Sequence, residues 1–136
     1  MKTILFLCTG NSCRSQMAEA IVNAHHHHKW EAFSAGTKPA GFIHPKALQT
    51  LDEIGIAHGG LSKHIDELPT KDFDVVVTVC EDAAEECPVW LGRAGKRLHR
   101  GFVDPAKAEG TDEEQMAVSR QVRDEMLEFI PTILGE

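Results

Sequence analysis

The chain has 136 residues, with 21 acidic against 14 basic side chains and a formal net charge of −7. That length suits one domain, 1–136, with one real core, and the acidic balance argues against a nucleic-acid partner. No apolar run is long enough to span a bilayer, and the opening MKTILFLC meets Thr-Gly-Asn without a small-residue cleavage site, so a cytoplasmic chain with no membrane partner is expected.

Residues 2–8 read as a short apolar strand. Residues 15–24 carry Met17, Ala20, Ile21 and Ala24 at three- and four-residue spacing, which predicts a helix. Trp30 to Ser34 alternates like a strand. Pro45 opens a second helix with Leu48, Leu51 and Ile54 on one side, ended by Gly55. Phe73 to Val79 is an unbroken β-branched run, the pattern of a central parallel strand buried on both faces. Leu98 to Val103 is a weaker strand or extended segment. Thr111 and Glu114 form a capping box for a last helix over about 112–130, stopped near Pro131. The order βαβαβαβα predicts an α/β fold: an open four-stranded parallel sheet with helices on both faces.

Between the first strand and the first helix lies Cys8-Thr9-Gly10-Asn11-Ser12-Cys13-Arg14-Ser15, a cysteine, five residues and an arginine closed by a hydroxyl. A strand that turns sharply into a helix leaves N–H groups unpaired at the helix N-terminus, and these favour a tetrahedral oxyanion. Gly10 and Asn11 tolerate the left-handed backbone such a turn needs. Arg14 can grip two oxyanion oxygens through its planar fork. The same positive surroundings favour a thiolate, and Ser15 can donate to its sulfur. Cys8 is therefore the candidate nucleophile, with Thr9 to Ser15 as the oxyanion cradle.

Cys80 ends the valine strand at the same sheet edge as Cys8, and Cys87 follows seven positions later. If residues 80–87 were fully helical, those Cα atoms would be about 10.5 Å apart, whereas a disulfide tolerates no more than about 7 Å. A bond between them requires the segment to unwind, and the unwinding would deliver the oxidised pair to the surface. The spacings C-x4-C and C-x6-C do not suit a closed tetrahedral zinc site, and no metal or cofactor is expected. Cys13 reads as a small core residue behind the loop. The run His25–His28 reads as a solvated loop; four histidines can hold a metal weakly, or mark an engineered insertion, and no function is assigned to it.

The segments CTGNSCRSQMAE, SAGT at 34–37, VVVTVC at 75–80, Cys87-Pro88 and GFVDPAKAEG at 101–110 together resemble thioredoxin-coupled arsenate reductases, a family built on the low-molecular-weight protein tyrosine phosphatase fold. The resemblance implies that Cys8 attacks arsenate while Arg14 and the loop amides hold it. It implies that Asp104, before Pro105, protonates the departing oxygen. Cys80 then attacks Cys8, Cys87 attacks Cys80, and thioredoxin reduces the resulting Cys80–Cys87 bond. Arsenate and thioredoxin are the partners implied, and a monomer is expected. Some members hold an alkali cation with an Asn, a Glu, a Ser and an Asp. Asn11, Glu19 and Ser34 match, and the fourth position falls on Lys63, whose ammonium would take the place of potassium and pair with Glu19.

A low-molecular-weight phosphotyrosine phosphatase would use Cys8, Arg14 and Asp104 for phosphoryl transfer. Gln16 stands where those phosphatases have a proline, and the chain has no tyrosine for the aromatic pair that follows their Asp-Pro; Ala106 and Lys107 stand instead. A metal- or arsenic-binding protein without turnover is a further reading. So is the same reaction driven by a small thiol, which the internal pair Cys80 and Cys87 would make unnecessary.

Overall fold

The computed structural model describes residues 1–81 and 88–135. Four strands form one parallel sheet: β1 (Lys2–Cys8), β2 (Trp30–Gly36), β3 (Asp72–Thr78) and β4 (Arg93–His99), in the order β2-β1-β3-β4. Among the described residues three α-helices accompany them: α1 (Arg14–His25), α2 (Pro45–Asp52) and α3 (Asp112–Leu134). The open α/β arrangement expected from the alternating pattern is the one observed. Strand β1 is central. Its register pairs Cys8 with Gly36 on one side and Leu7 with Thr78 on the other.

The period-2 alternation of β1 splits the core in two. Ile4, Phe6 and Cys8 join Met17 and Ile21 of α1, Leu51 of α2 and Val122, Met126 and Ile130 of α3. Leu5 and Leu7 face the other way, where Phe73, Val76, Leu68 and Trp90 cover them beside a 3-10 turn at Ile65–Glu67. Whether the segment between Cys80 and Cys87 is helical or unwound, and Cys87 itself, fall on positions 82–87, outside the described residues.

Two boundaries differ from expectation. The last strand is Arg93–His99, not Leu98–Val103. It is the sheet edge, mostly exposed and rich in Arg and Lys, so it carries no apolar signal. Helix α3 runs through Pro131 to Leu134. Proline removes one N–H and strains the turn before it, yet Ile130 and Leu134 are both buried and anchor the last turn. The stop is Gly135, left-handed at φ 75°, whose N–H caps the Pro131 carbonyl. The start matches: Thr111 accepts from Glu114 N while Glu114 accepts from Thr111 N. Among the described residues no helix is long and apolar enough to cross a membrane.

Candidate active site

The loop from Cys8 to Arg14 lies at the carboxyl edge of the sheet, where ligands of open parallel sheets bind. Its carbonyls turn outward. Thr9 O accepts from Lys38 N at 3.0 Å, Gly10 O from Ala40 N at 2.9 Å and Ser12 O from His44 N at 3.1 Å. Ser62 Oγ also donates to Gly10 O, and Gln16 Nε2 donates to Asn11 O. In a trans peptide the N–H opposes the C=O, so these bonds turn the following amides of Gly10, Asn11, Ser12 and Cys13 inward. Asn11 N reaches the Cys8 sulfur at 3.3 Å. Helix α1 begins with Cys13 as N-cap, without a capping side chain and with no acidic residue in its first turn, which suits an anion at that end.

Within the loop from Cys8 to Arg14 the left-handed backbone falls on Asn11, at φ 48°, and not on Gly10, which would also tolerate it. Asn11 is fully buried and its amide is consumed. Its Nδ2 donates to Ser15 Oγ at 2.8 Å, and its Oδ1 accepts from Gln16 Nε2 and Lys63 N, each at 2.9 Å. Ser15 Oγ sits 2.9 Å from the Cys8 sulfur. Because Asn11 donates to Ser15, the serine hydroxyl is free to point its own proton at the sulfur. Gly36 explains the SAGT segment: a Cβ there would collide with Thr9 O, so only glycine lets β2 pass so close to the loop.

Arg14 is 3% exposed. Its Nη1 donates to Phe102 O at 3.3 Å, and its Nη2 lies 3.4 Å from Asp104 Oδ2. Asp104 Oδ1 accepts from Ala106 N, which fixes the carboxylate at the start of the 3-10 turn Pro105–Lys107. Cys8, Gly10 to Arg14 and Asp104 line one cleft of about 360 Å³, together with Ala40, Phe42, His44 and Ala106. That volume lies toward the small end of the ~300–1,000 Å³ usual for small-molecule sites. Sequence reasoning missed Phe42 and His44. The lone signal for His44 is its place before the helix-opening Pro45.

Cys8 and Cys13 are free thiols. Burial, then the charges of Asp104 and Cys8, pushes the Cys13 thiol up to about 12. Cys13 is therefore a poor nucleophile at neutral pH, in keeping with a core role. Cys80 is fully buried, two residues beyond Thr78, the partner of Leu7 in the register. Val79 N donates to Leu7 O, so the chain bearing Cys80 continues beside the end of β1.

Behind the loop, Lys63 Nζ donates to Leu61 O at 2.9 Å and Ser34 O at 3.1 Å, with Glu19 Oε1 at 4.0 Å. Ser34 Oγ donates to the same Glu19 oxygen. Burial raises the Glu19 carboxyl, against Lys63 and the Ser34 bonds. His58 Nε2 lies 2.8 Å from Gln16 Oε1 and 3.6 Å from Glu19 Oε2. Neither the residue pattern nor the spacing announced His58. Among the described residues no group of three or more His, Cys, Asp or Glu side chains is placed to hold a metal, and His25–His28 form none.

The family model described as low molecular weight phosphotyrosine protein phosphatase matches residues 3–115. An arsenate reductase of Shouchella clausii is 48% identical over 128 residues, covering 92% of this chain and 89% of that protein. The crystal structure of an arsenate reductase from Archaeoglobus fulgidus superposes with a TM-score of 0.81 at 31% identity, over 98% of this chain and 99% of the other. A thioredoxin-dependent arsenate reductase of Corynebacterium glutamicum gives 0.68 at 25% identity, over all of this chain and 64% of the other.

Proposed function

The chain belongs to the low-molecular-weight phosphotyrosine protein phosphatase family, among its arsenate reductases, and from that premise we propose that it reduces arsenate to arsenite by a three-thiol relay. The observation that carries the reading is a further buried cysteine, Cys80, at the sheet edge where the Cys8 cradle opens. A phosphatase has no use for it.

The Cys8 thiolate, held by Ser15 Oγ and Asn11 N, attacks arsenic, and Asp104 delivers the proton with which one oxygen leaves as water. Arg14 and the inward amides hold the remaining oxygens. Cys80 attacks the Cys8 sulfur. The S–As bond breaks with its electron pair moving to arsenic, arsenite departs, and a Cys8–Cys80 disulfide forms. Two electrons have left the thiols and arsenic has gained two. Cys87 attacks Cys80 and frees the Cys8 thiolate. A thioredoxin dithiol reduces the Cys80–Cys87 bond, the partner suggested by the Corynebacterium glutamicum enzyme. The Lys63 ammonium, held by two carbonyls beside Glu19, takes the role of a bound alkali cation.

The test is arsenate-dependent NADPH oxidation with thioredoxin and thioredoxin reductase, on wild type, Cys8→Ser, Cys80→Ser and Cys87→Ser. Reductase turnover should vanish in all three variants. Hydrolysis of an aryl phosphate, weak in wild type, should survive in Cys80→Ser and disappear in Cys8→Ser. Undiminished arsenate turnover in Cys80→Ser would refute the relay. Efficient phosphatase turnover with no arsenate reduction would make the chain a phosphatase instead.

A further inference from the structure

His44 is joined to the site at three points. Its backbone N–H donates to Ser12 O in the cradle loop. Its ring caps helix α2, where Nδ1 accepts from Lys46 N at 3.2 Å. The residue also lines the cleft that holds Cys8, Arg14 and Asp104. The cap determines the proton's position. An Nδ1 that accepts an N–H carries no hydrogen, so the imidazole is neutral and its proton is on Nε2. Burial and the Lys46 charge hold His44 below its ordinary value, against the opposing pull of Asp104, which agrees with the neutral ring. A residue lining an anion cleft thus carries a side-chain donor of fixed tautomer, and the cap alone does not require a histidine: asparagine caps helices as well.

We propose that His44 is an oxyanion-binding residue, its Nε2–H supplying a neutral side-chain donor to the tetrahedral anion held by the Cys8 loop and Arg14. The inference rests on the oxyanion reading of the proposed function and adds a residue to it. A neutral donor suits this position. It steadies an oxygen without competing with Arg14 for Asp104, as a second cation would.

Two substitutions separate the two ends of the ring. In His44→Asn, Oδ1 takes the place of Nδ1, so the cap survives and the cleft donor is lost. In His44→Gln, Nε2 takes the place of the ring Nε2, so the donor survives and the cap is lost. The probe is inorganic phosphate, measured by titration calorimetry and by its protection of the Cys8 peptide from alkylation. Loss of one hydrogen bond to a charged ligand predicts an affinity about tenfold weaker, or more, in His44→Asn. His44→Gln should bind within a few-fold of wild type while melting at lower temperature. KM for arsenate should rise in His44→Asn with kcat held. Wild-type phosphate affinity in His44→Asn would overturn the inference. So would a loss confined to His44→Gln, the signature of a cap alone. Arsenate turnover is read on the same samples, so a wild-type chain that binds phosphate without reducing arsenate breaks the proposed function and leaves the donor in place.

Discussion

The cradle loop has two sides that are built on opposite rules. On the buried side, Asn11, Ser15 and Gln16 are fully buried and their polar atoms are spent on one another, on Lys63 and on His58. On the cleft side, Arg14, Asp104 and His44 are each anchored, at Phe102 O, Ala106 N and Lys46 N, and line the cleft that holds Cys8. A closed polar network is rigid because any broken bond leaves a buried group unsatisfied. An open set of donors is reactive because it waits for a ligand. The difference separates positioning from chemistry, and each side fails in its own way.

The largest effect belongs to the cleft side. Arg14→Lys keeps the charge but loses the fork that reaches Phe102 O and Asp104 together. Arsenate turnover should fall about 100-fold, the scale of losing one oxyanion donor, with little change in melting temperature. A large loss of stability without a kinetic defect would blur the distinction between the two sides.

The next effect belongs to the buried side and should show the reverse. Asn11→Gly keeps the left-handed backbone and removes the side-chain bonds to Ser15, Gln16 and Lys63. Each partner left unsatisfied costs about 1–3 kcal/mol. Asn11→Ala adds the left-handed strain of a Cβ, about 1–2 kcal/mol more. Denaturant unfolding should rank wild type above Asn11→Gly and Asn11→Ala lowest. Equal stability of the two variants would mean that φ 48° is not maintained.

Most of the cleft side was legible in the sequence, because Cys8, Arg14 and the intervening loop are contiguous and the strand and helix around them have clear periods. Asp104 was legible through its Pro105 turn and the family pattern, although nothing in the spacing placed it 3.4 Å from Arg14. The buried side was legible only in part. Gln16 stood out as a non-proline, and Lys63 as a cation where an acid was expected. That His58, 42 residues away, reaches Gln16 depends on how the segment after α2 packs against the start of α1, and no local pattern encodes that. Strand β4 was misplaced for a related reason. An exposed edge strand is defined by backbone pairing, here Val75 to Lys96 and Val76 to Arg97, and its charged side chains show no period.

A smaller effect tests the cation behind the loop. With Lys63 Nζ already on Ser34 O and Leu61 O, turnover at equal ionic strength should be the same in potassium and sodium chloride. Lys63→Met should lose thermal stability and a few-fold in turnover, because Asn11 keeps its bond to the backbone N–H of residue 63 while Glu19 loses its countercharge. A strong, potassium-specific activation of the wild type would show that the ammonium does not do the work of the ion.

The smallest effect is a pH dependence confined to the buried side. Gln16 Nε2 donates to Asn11 and to Leu61 O, so Gln16 Oε1 is the acceptor for His58 and the proton resides on His58 Nε2. The contact with Glu19 at 3.6 Å is then not an ion pair, since burial and the Lys63 charge hold His58 below its ordinary value of 6.5. Between that lowered value and 6.5 the unfolded chain binds more protons than the folded one. His58 therefore supports the fold fully above 6.5, and this support is lost as the pH falls through its folded value. Glu19, raised by burial, has the opposite sign: its contribution is lost as the pH climbs from its ordinary 4.5 through its folded value. The wild-type curve sums the two, so the difference between wild type and His58→Gln isolates the histidine. The variant should lose less melting temperature on acidification below 6.5, with KM for arsenate changing in parallel in both proteins. Parallel melting curves would mean that His58 takes up its proton as readily in the folded chain as in the unfolded one, and steeper loss in the variant would mean that the buried network ends in a charge where a neutral donor is now assigned.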